Sequence, residues 1–203
     1  MSVTPPPTAL ADAPHIPPGR LAALAERVGR KASDEPIASS IDSGDADAIS
    51  VTAPATGEPI GSVPACDAAD VAAAAERARA AQTAWAETPA TDRAAVIDRF
   101  GDLVLEHREE LLDVLQLETG KSRRTAVEEL FDVPTGCTYL ADEAPGVLAE
   151  EGRKGVVPGL TTATVTYDPV GVVGVISPWN YPLTLAMADA LPALAAGNAS
   201  VSG

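Results

Sequence analysis

The stretch Tyr167 to Asn198, reading YDPVGVVGVISPWNYPLTLAMADALPALAAGN, constrains this chain most. It sets a strand pattern, a rigid turn and a helical pattern end to end. Val170 to Ser177 is almost wholly apolar and β-branched, with Gly171 and Gly174 interrupting it. So short an apolar run predicts a strand covered on both faces. The glycines lack the GxGxxG spacing of a phosphate-binding turn and read as close-packing positions inside the strand. The run ends at Ser177-Pro178-Trp179-Asn180-Tyr181-Pro182. Its prolines exclude regular pairing and force a turn at the strand's carboxyl end, where open α/β sheets bind ligands. Beyond it, Leu183, Met187, Leu191 and Leu194 recur at helical spacing, with Pro182 suited to the first turn and Gly197-Asn198 to the stop. On residue type alone, Asn180 reads as satisfying the turn's own backbone groups.

The 203 residues suffice for one or two domains with a real core. Hydrophobic residues make up 46% but aromatics only 3%, so alanine carries much of the apolar count and the core should rest on closely packed helices. A formal charge of -15, from 29 acidic against 14 basic residues, disfavours nucleic acid or an anionic membrane as partner. The same acidic balance suits a protein soluble at high salt, where carboxylate repulsion is screened, and points to a halophilic source. No apolar run approaches the roughly 20 residues that span a bilayer, and the start has no signal-peptide pattern, so a cytoplasmic protein is expected. Cys66 and Cys137 are too few for a disulfide framework and lack metal-ligand spacing. His15, in a proline-rich tail, and His107, at a helix junction, form no ligand cluster, so no metal site is expected.

Taken in order, residues 1–18 are proline-rich and read as an extended tail with a weak PxxP resemblance. Leu21, Leu24 and Val28 fit a short helix from Pro18 to Lys31, and Ala32 to Asp47 reads as an acidic linker. The domain boundary is set between residues 45 and 46. Ile49 to Val63 places Thr-Gly-Glu-Pro between two β-type runs, a hairpin. Asp67 should cap a helix with Val71, Ala75, Ala78, Ala81 and Trp85 on one stripe, Trp85 in the core. Thr91 should cap a second, with Val96, Ile97, Phe100, Leu103 and Val104 as its stripe. Leu111, Leu112 and Leu115 carry a third helix to Gly120. Ser122 begins a fourth, with Ala126, Val127, Leu130 and Phe131 on one side. Pro134 and Gly136, costing about 3 and about 1 kcal/mol in a helix interior, should kink or stop it near Asp132. Cys137 reads as a small buried filler. After a Gly/Pro-rich loop, Thr161 to Tyr167 alternates as a half-exposed strand.

The strings PVGVVGVISPWNYPL and PALAAGN, with ARAAQTAWAETPATDRAAVIDRFGDLVLEHREELLDVLQLETGKS upstream, resemble the NAD(P)-dependent aldehyde dehydrogenase superfamily. The resemblance covers about residues 46 to 199. WNYPLTLAMAD, with Asp189, looks closest to the succinate-semialdehyde dehydrogenase branch. It implies an α/β fold: helices plus a hairpin leading into an incomplete Rossmann-like parallel sheet, with residues 170–199 beginning the cofactor-binding sheet. Asn180 matches the asparagine whose amide donates to the oxyanion formed when a cysteine thiolate attacks the aldehyde. Ile176, Ser177, Pro178 and Trp179 match positions lying along the nicotinamide nucleotide. Residues 161–168 match a strand that pairs subunits, which implies a homo-oligomer.

The implied chemistry is thiolate addition, hydride transfer to NAD(P)+ and carboxylate-assisted hydrolysis of the thioester. The family's chains run well over twice this length. The ribose-contacting Lys-Pro, the pyrophosphate turn, the glutamate base and the catalytic cysteine with its flanking motif are not among these residues, and neither Cys66 nor Cys137 has that motif. Cofactor binding is therefore expected to be impaired, and residues 1–203 are expected to be inactive alone, either as the amino-terminal part of such an enzyme or as a non-catalytic module pairing with itself or a longer relative.

Overall fold

The computed structural model describes residues 48–157 and 160–203. The proline-rich tail, short helix and linker read from residues 1–47 lie outside the described residues. The chain divides into two compact units; the described part of the first comprises residues 48–74 and 107–130, and that of the second residues 75–106 and 131–203 without 158 and 159.

In the first unit, β1 (Ala48–Thr52) and β2 (Pro59–Pro64) form the expected antiparallel hairpin, with Ile49 opposite Val63 and a register irregularity between Val51 and Thr52. Its turn closes through Gly57 N–H to the Ala53 carbonyl at 2.7 Å, and Gly57 sits at φ 74°. Ala53 and Leu117 are buried together, with Ile60 against them. Helix α1 (Ala68–Glu87) starts at the expected cap. The Asp67 carboxylate accepts from the Ala69 and Asp70 amides at 2.7 and 3.0 Å, and the Asp70 carboxylate accepts from the Asp67 amide at 2.9 Å. This reciprocal arrangement satisfies N–H groups that a helix start leaves without partners.

Helix α3 (Arg108–Thr119) ends at Gly120, which takes the left-handed conformation at φ 71° and donates to Gln116 at 3.0 Å. A Cβ there would stand 2.9 Å from Pro54, so both space and backbone select glycine. Helix α4 (Arg123–Val147) begins after Ser122, whose hydroxyl accepts from the Thr125 amide. Buried charge in this unit is paired. Glu129 is fully buried against Lys121, and Arg123 bridges buried Asp113 and exposed Glu109. Burial lowers the Arg123 pKa, but its bonds to Asp113 and Glu109 outweigh that and raise it, so the guanidinium stays charged.

The second unit packs α2 (Ala90–Glu106) through Arg93, Ala94, Ile97, Gly101 and Val104. That stripe is rotated from the expected one: Val96 and Leu103 are exposed, because the buried face is centred on Gly101. A Cβ on Gly101 would meet Cys137 Cβ at 2.9 Å and Pro134 Cα at 3.5 Å, so the glycine admits α4 at close range. Thr91 is not the cap; α2 begins at Ala90, the Pro89 carbonyl accepts from the Asp92 and Arg93 amides, and Thr91 Oγ1 turns to Asp92 at 3.3 Å.

Helix α4 does not stop near Asp132; it runs through Pro134 to Val147. Pro134 and Cys137 are buried on the face that meets Gly101, so tertiary packing offsets the propensity loss, and Thr135 Oγ1 donates to the Phe131 carbonyl at 2.7 Å. Phe131, expected on the packed side, is exposed, as is Val71 on α1. Trp85 is half-buried rather than core.

Strand β3 (Glu151–Lys154) pairs antiparallel with β4 (Thr162–Val165). The polar sequence EGRK carries no strand periodicity, and its pairing with β4 makes it a strand. Strand β5 (Val172–Val175) pairs in parallel with β6 (Ala199–Ser202), and α5 (Pro182–Ala195) connects them. Ala199–Ser202 carries no strand pattern of its own, and pairing with β5 makes it a strand. β5 is also not covered on both faces: Val175 is buried, Val172 and Val173 half-buried, and Gly174 exposed. Gly174 has open space where a Cβ would stand, so it is not a close-packing residue, whereas Gly171 is held at φ 115° just before the strand.

Candidate functional site

The site is built on the β5–α5–β6 unit, and its frame is fixed at the carboxyl end of α5. A helix leaves its last carbonyls without intrahelical donors. Here four of the carbonyls between residues 193 and 197 receive side chains: Ala193 from Asn198 Nδ2 at 3.0 Å, Leu194 from Trp85 Nε1 at 2.9 Å, Ala195 from Arg93 Nε at 3.0 Å, and Gly197 from Gln82 Nε2 at 3.0 Å. The other side of the Arg93 guanidinium reaches the carbonyls of Ala86 in the last turn of α1 and of Thr88 just after it, so one buried cation joins two helix ends. Asn198 is itself buried, and its Oδ1 accepts from the Gly171 amide at 2.9 Å. It thereby ties the entry of β5 to the exit of α5.

The turn from Ile176 to Tyr181 follows β5 at its carboxyl end, as the prolines require. Tyr181 precedes α5 without a side-chain cap, and Pro182 takes the first helical position. Among the sequence-derived site residues, Ser177 is half-buried, while Ile176, Pro178, Trp179 and Asn180 are exposed. The exposures of Ile176 and Trp179, 93% and 82%, are high for apolar side chains and leave both available to a flat ligand. Because Gly174 has no Cβ, β5 backbone is bare beside them. The turn itself holds no lysine or arginine.

A groove of about 380 Å3 lies between α4 and α5, within the size range of small-molecule sites. Val133, Gly136 and Tyr139 line it from α4, and Thr184, Met187 and Ala188 from α5. Thr184 and Ala188 lie one turn apart on α5. Sequence reasoning missed the groove. Its one available signal was Gly136, a glycine inside a helical pattern with nothing where a Cβ would stand.

Neither cysteine is placed as a nucleophile. Cys137 is fully buried; burial, and secondarily the charge of Asp98, pushes its thiol pKa up, away from thiolate. Cys66 is exposed before α1, in the first unit. Among the described residues no group of three or more His, Cys, Asp or Glu could hold a metal ion, and no helix is long and apolar enough to cross a membrane.

A parallel β–α–β unit with a proline-bounded turn at its carboxyl edge is an opening piece of a Rossmann-like sheet. The chain belongs to the aldehyde dehydrogenase family, whose model matches residues 41–202. It is 51% identical over 146 residues to the protein of Mycobacterium tuberculosis named "Putative succinate-semialdehyde dehydrogenase (NADP(+)) 2", over 72% of this chain and 28% of that relative. A solved NAD-dependent benzaldehyde dehydrogenase from Corynebacterium glutamicum superposes with a TM-score of 0.72 at 38% identity, over 78% of this chain and 34% of that one. An NADP-dependent glyceraldehyde-3-phosphate dehydrogenase from Bacillus halodurans C-125, solved with NADP, gives 0.71 at 35%, over 77% and 33%. The chain thus spans about a third or less of the length of these proteins.

Proposed function

We propose that this chain supplies the oxyanion donor and part of the cofactor surface of an enzyme that oxidises an aldehyde to its acid with NAD or NADP. The observation that carries this reading is the position of Ile176–Asn180 at the carboxyl end of β5, immediately before α5. Asn180 donates its side-chain amide to the oxygen on which charge develops. Trp179 and Ile176 cover one side of the nicotinamide nucleotide, which when bound accepts the hydride, and Ser177 and Pro178 set the backbone beside it. Succinate semialdehyde is the first candidate aldehyde, supported by the name of the mycobacterial relative and by the WNYPLTLAMAD string with Asp189. Residues 1–203 hold no activated thiol, so they turn over no aldehyde alone; a lone oxyanion donor contributes about 100- to 1000-fold and cannot replace covalent catalysis. The acidic composition supports a setting at high salt.

Saturation-transfer NMR of the 203-residue chain with NADP+ and NAD+ tests the cofactor surface. Weak binding that disappears in Trp179→Ala is expected. Binding unaffected by that substitution, or none at millimolar cofactor, would sink the reading. Aldehyde oxidation by these residues alone, followed at 340 nm, would refute their inactivity.

A second reading is favoured by the β3–β4 sheet, whose two strands, among the described residues, each pair on one side: a non-catalytic module that pairs with itself or a longer relative through residues 161–168. A discrete dimer or larger oligomer in size-exclusion chromatography with light scattering, lost on Thr164→Pro, supports it. Aggregation opposes it.

A further inference from the structure

We infer that Asn198 is a positioning residue: by fixing the register of β5 on β6, it places the turn Ile176–Asn180 where that turn can hold the nicotinamide nucleotide. This rests on the cofactor reading above and adds to it a residue remote from the ligand. Asn198 is 5% exposed, and both ends of its side-chain amide are engaged. Oδ1 accepts from the Gly171 amide at 2.9 Å, while Nδ2 and the backbone N–H of Asn198 both donate to the Ala193 carbonyl at 3.0 Å. The Gly171 carbonyl in turn accepts from the Ala199 amide at 2.9 Å. Both backbone groups of Gly171 are therefore held, one by the side chain of residue 198 and the other by the backbone of residue 199. The parallel ladder starts from this clamp, with Val172 opposite Ala199 and Val175 opposite Ser202.

β5 itself carries little that would set its register. Its sequence is VVGV, and a strand of like residues interrupted by glycine specifies its pairing weakly. A slip of one residue would carry the turn about 3.3 Å along the strand and reverse which way its side chains face. A binding group must be held to within about 0.5 Å of its working position. The clamp sits at the entry to β5 and the turn follows Val175 at its exit, so four residues of extended backbone transmit the setting. Asn198 also holds Ala193 in the last turn of α5, the helix that begins just after the turn. One amide thus references both elements that flank Ile176–Asn180.

The test titrates the 15N-labelled 203-residue chain with NADP+ and follows the amides of Val175, Ser177 and Trp179. Asn198→Ala is expected to shift these amides in the free protein and to weaken NADP+ binding about tenfold, since a misplacement of about 1 Å caused from a distance can cost up to about 100-fold. Asn198→Asp keeps an acceptor for Gly171 and loses the donor to Ala193, so it should recover affinity to within about threefold of the parent. Gln82→Met is the control. It removes one bond to the same helix end, from Nε2 to the Gly197 carbonyl at 3.0 Å, and that bond does not reach β5. It should lower the urea midpoint about as much as Asn198→Ala does and leave NADP+ affinity within about twofold of the parent. Should Asn198→Ala give no dispersed spectrum, Asn198→Ser, whose side chain is one atom shorter than asparagine's reach to Gly171, takes its place. Parent-like affinity in Asn198→Ala or Asn198→Ser, no recovery in Asn198→Asp, or an equal loss in Gln82→Met overturns the inference and leaves the cofactor reading standing. A parent chain that binds no NADP+ removes that reading, and the inference with it.

Discussion

Replacing Arg93 with methionine should loosen the second unit more than any exposed substitution in it. Arg93 is 7% exposed, and its guanidinium donates to Ala195 at 3.0 Å on one side and to Thr88 on the other, with a longer contact to Ala86 at 3.4 Å. A hydrogen bond to a charged group contributes about 1.5–3 kcal/mol. Two such bonds at the lower end, with the third contact discounted, give about 3–4 kcal/mol. Against a total stability of about 5–15 kcal/mol, that is a large fraction. With a urea slope of about 2 kcal/mol/M, the midpoint should fall by about 1.5–2 M. Arg93→Lys keeps the charge but lacks the planar fork, so it should recover about half. Circular dichroism gives the midpoint. Hydrogen exchange adds a local check, since the Ala199 amide bonded to Gly171 at 2.9 Å should lose protection. A midpoint shift below about 0.5 M, or full recovery by lysine, would refute the view that Arg93 acts by joining two helix ends.

Lys121→Met leaves fully buried Glu129 without its nearest cation and should cost about 3–5 kcal/mol in urea unfolding; adding Glu129→Leu should recover most of that, and failure to recover would deny the coupling. Gly171→Ala, forced to φ 115°, should destabilise by about 1–3 kcal/mol, while Gly174→Ala, exposed with open space, should stay within about 1 kcal/mol of the parent by the same assay. Iodoacetamide should label Cys66 in the native protein and Cys137 only on unfolding, as mass spectrometry will show. Because the folded state holds the Cys137 proton more tightly than the unfolded state does, this thiol's contribution to stability is full below pH 9.0, its ordinary pKa, and declines above it. Cys137→Ala should flatten that decline.

The strand, turn and helix from Val170 to Asn198 were legible because β-branched residues, two prolines and a 3.6-residue stripe each fix backbone geometry locally. The Thr-Gly hairpin, the Asp67 cap and the Gly120 stop were legible for the same reason. Where local signals conflicted with packing, packing decided. Pro134 sits inside a continuous helix because Gly101 admits it from across the unit, a contact between residues 33 positions apart that periodicity does not register. Val96 and Leu103 lie on a stripe as apolar as the buried one and still face outward. The short strands β3 and β6 carry polar or small residues, and their pairing depends on a partner rather than on composition. For the candidate site, the turn residues came from motif resemblance, whereas the groove is made by two helices meeting and had no single-segment signature.

The clasp at Asn198 separates the part of this unit that must not change from the part that can. Its amide closes a span of 27 residues at the entry to β5, while the turn at Ile176–Asn180 lies beyond the far end of that strand. Closing a loop of this length costs chain entropy that depends only logarithmically on the number of residues enclosed. The closing contact is insensitive to which side chains the turn displays. A lineage carrying this framework is therefore free to trade residues in the turn without renegotiating the fold each time.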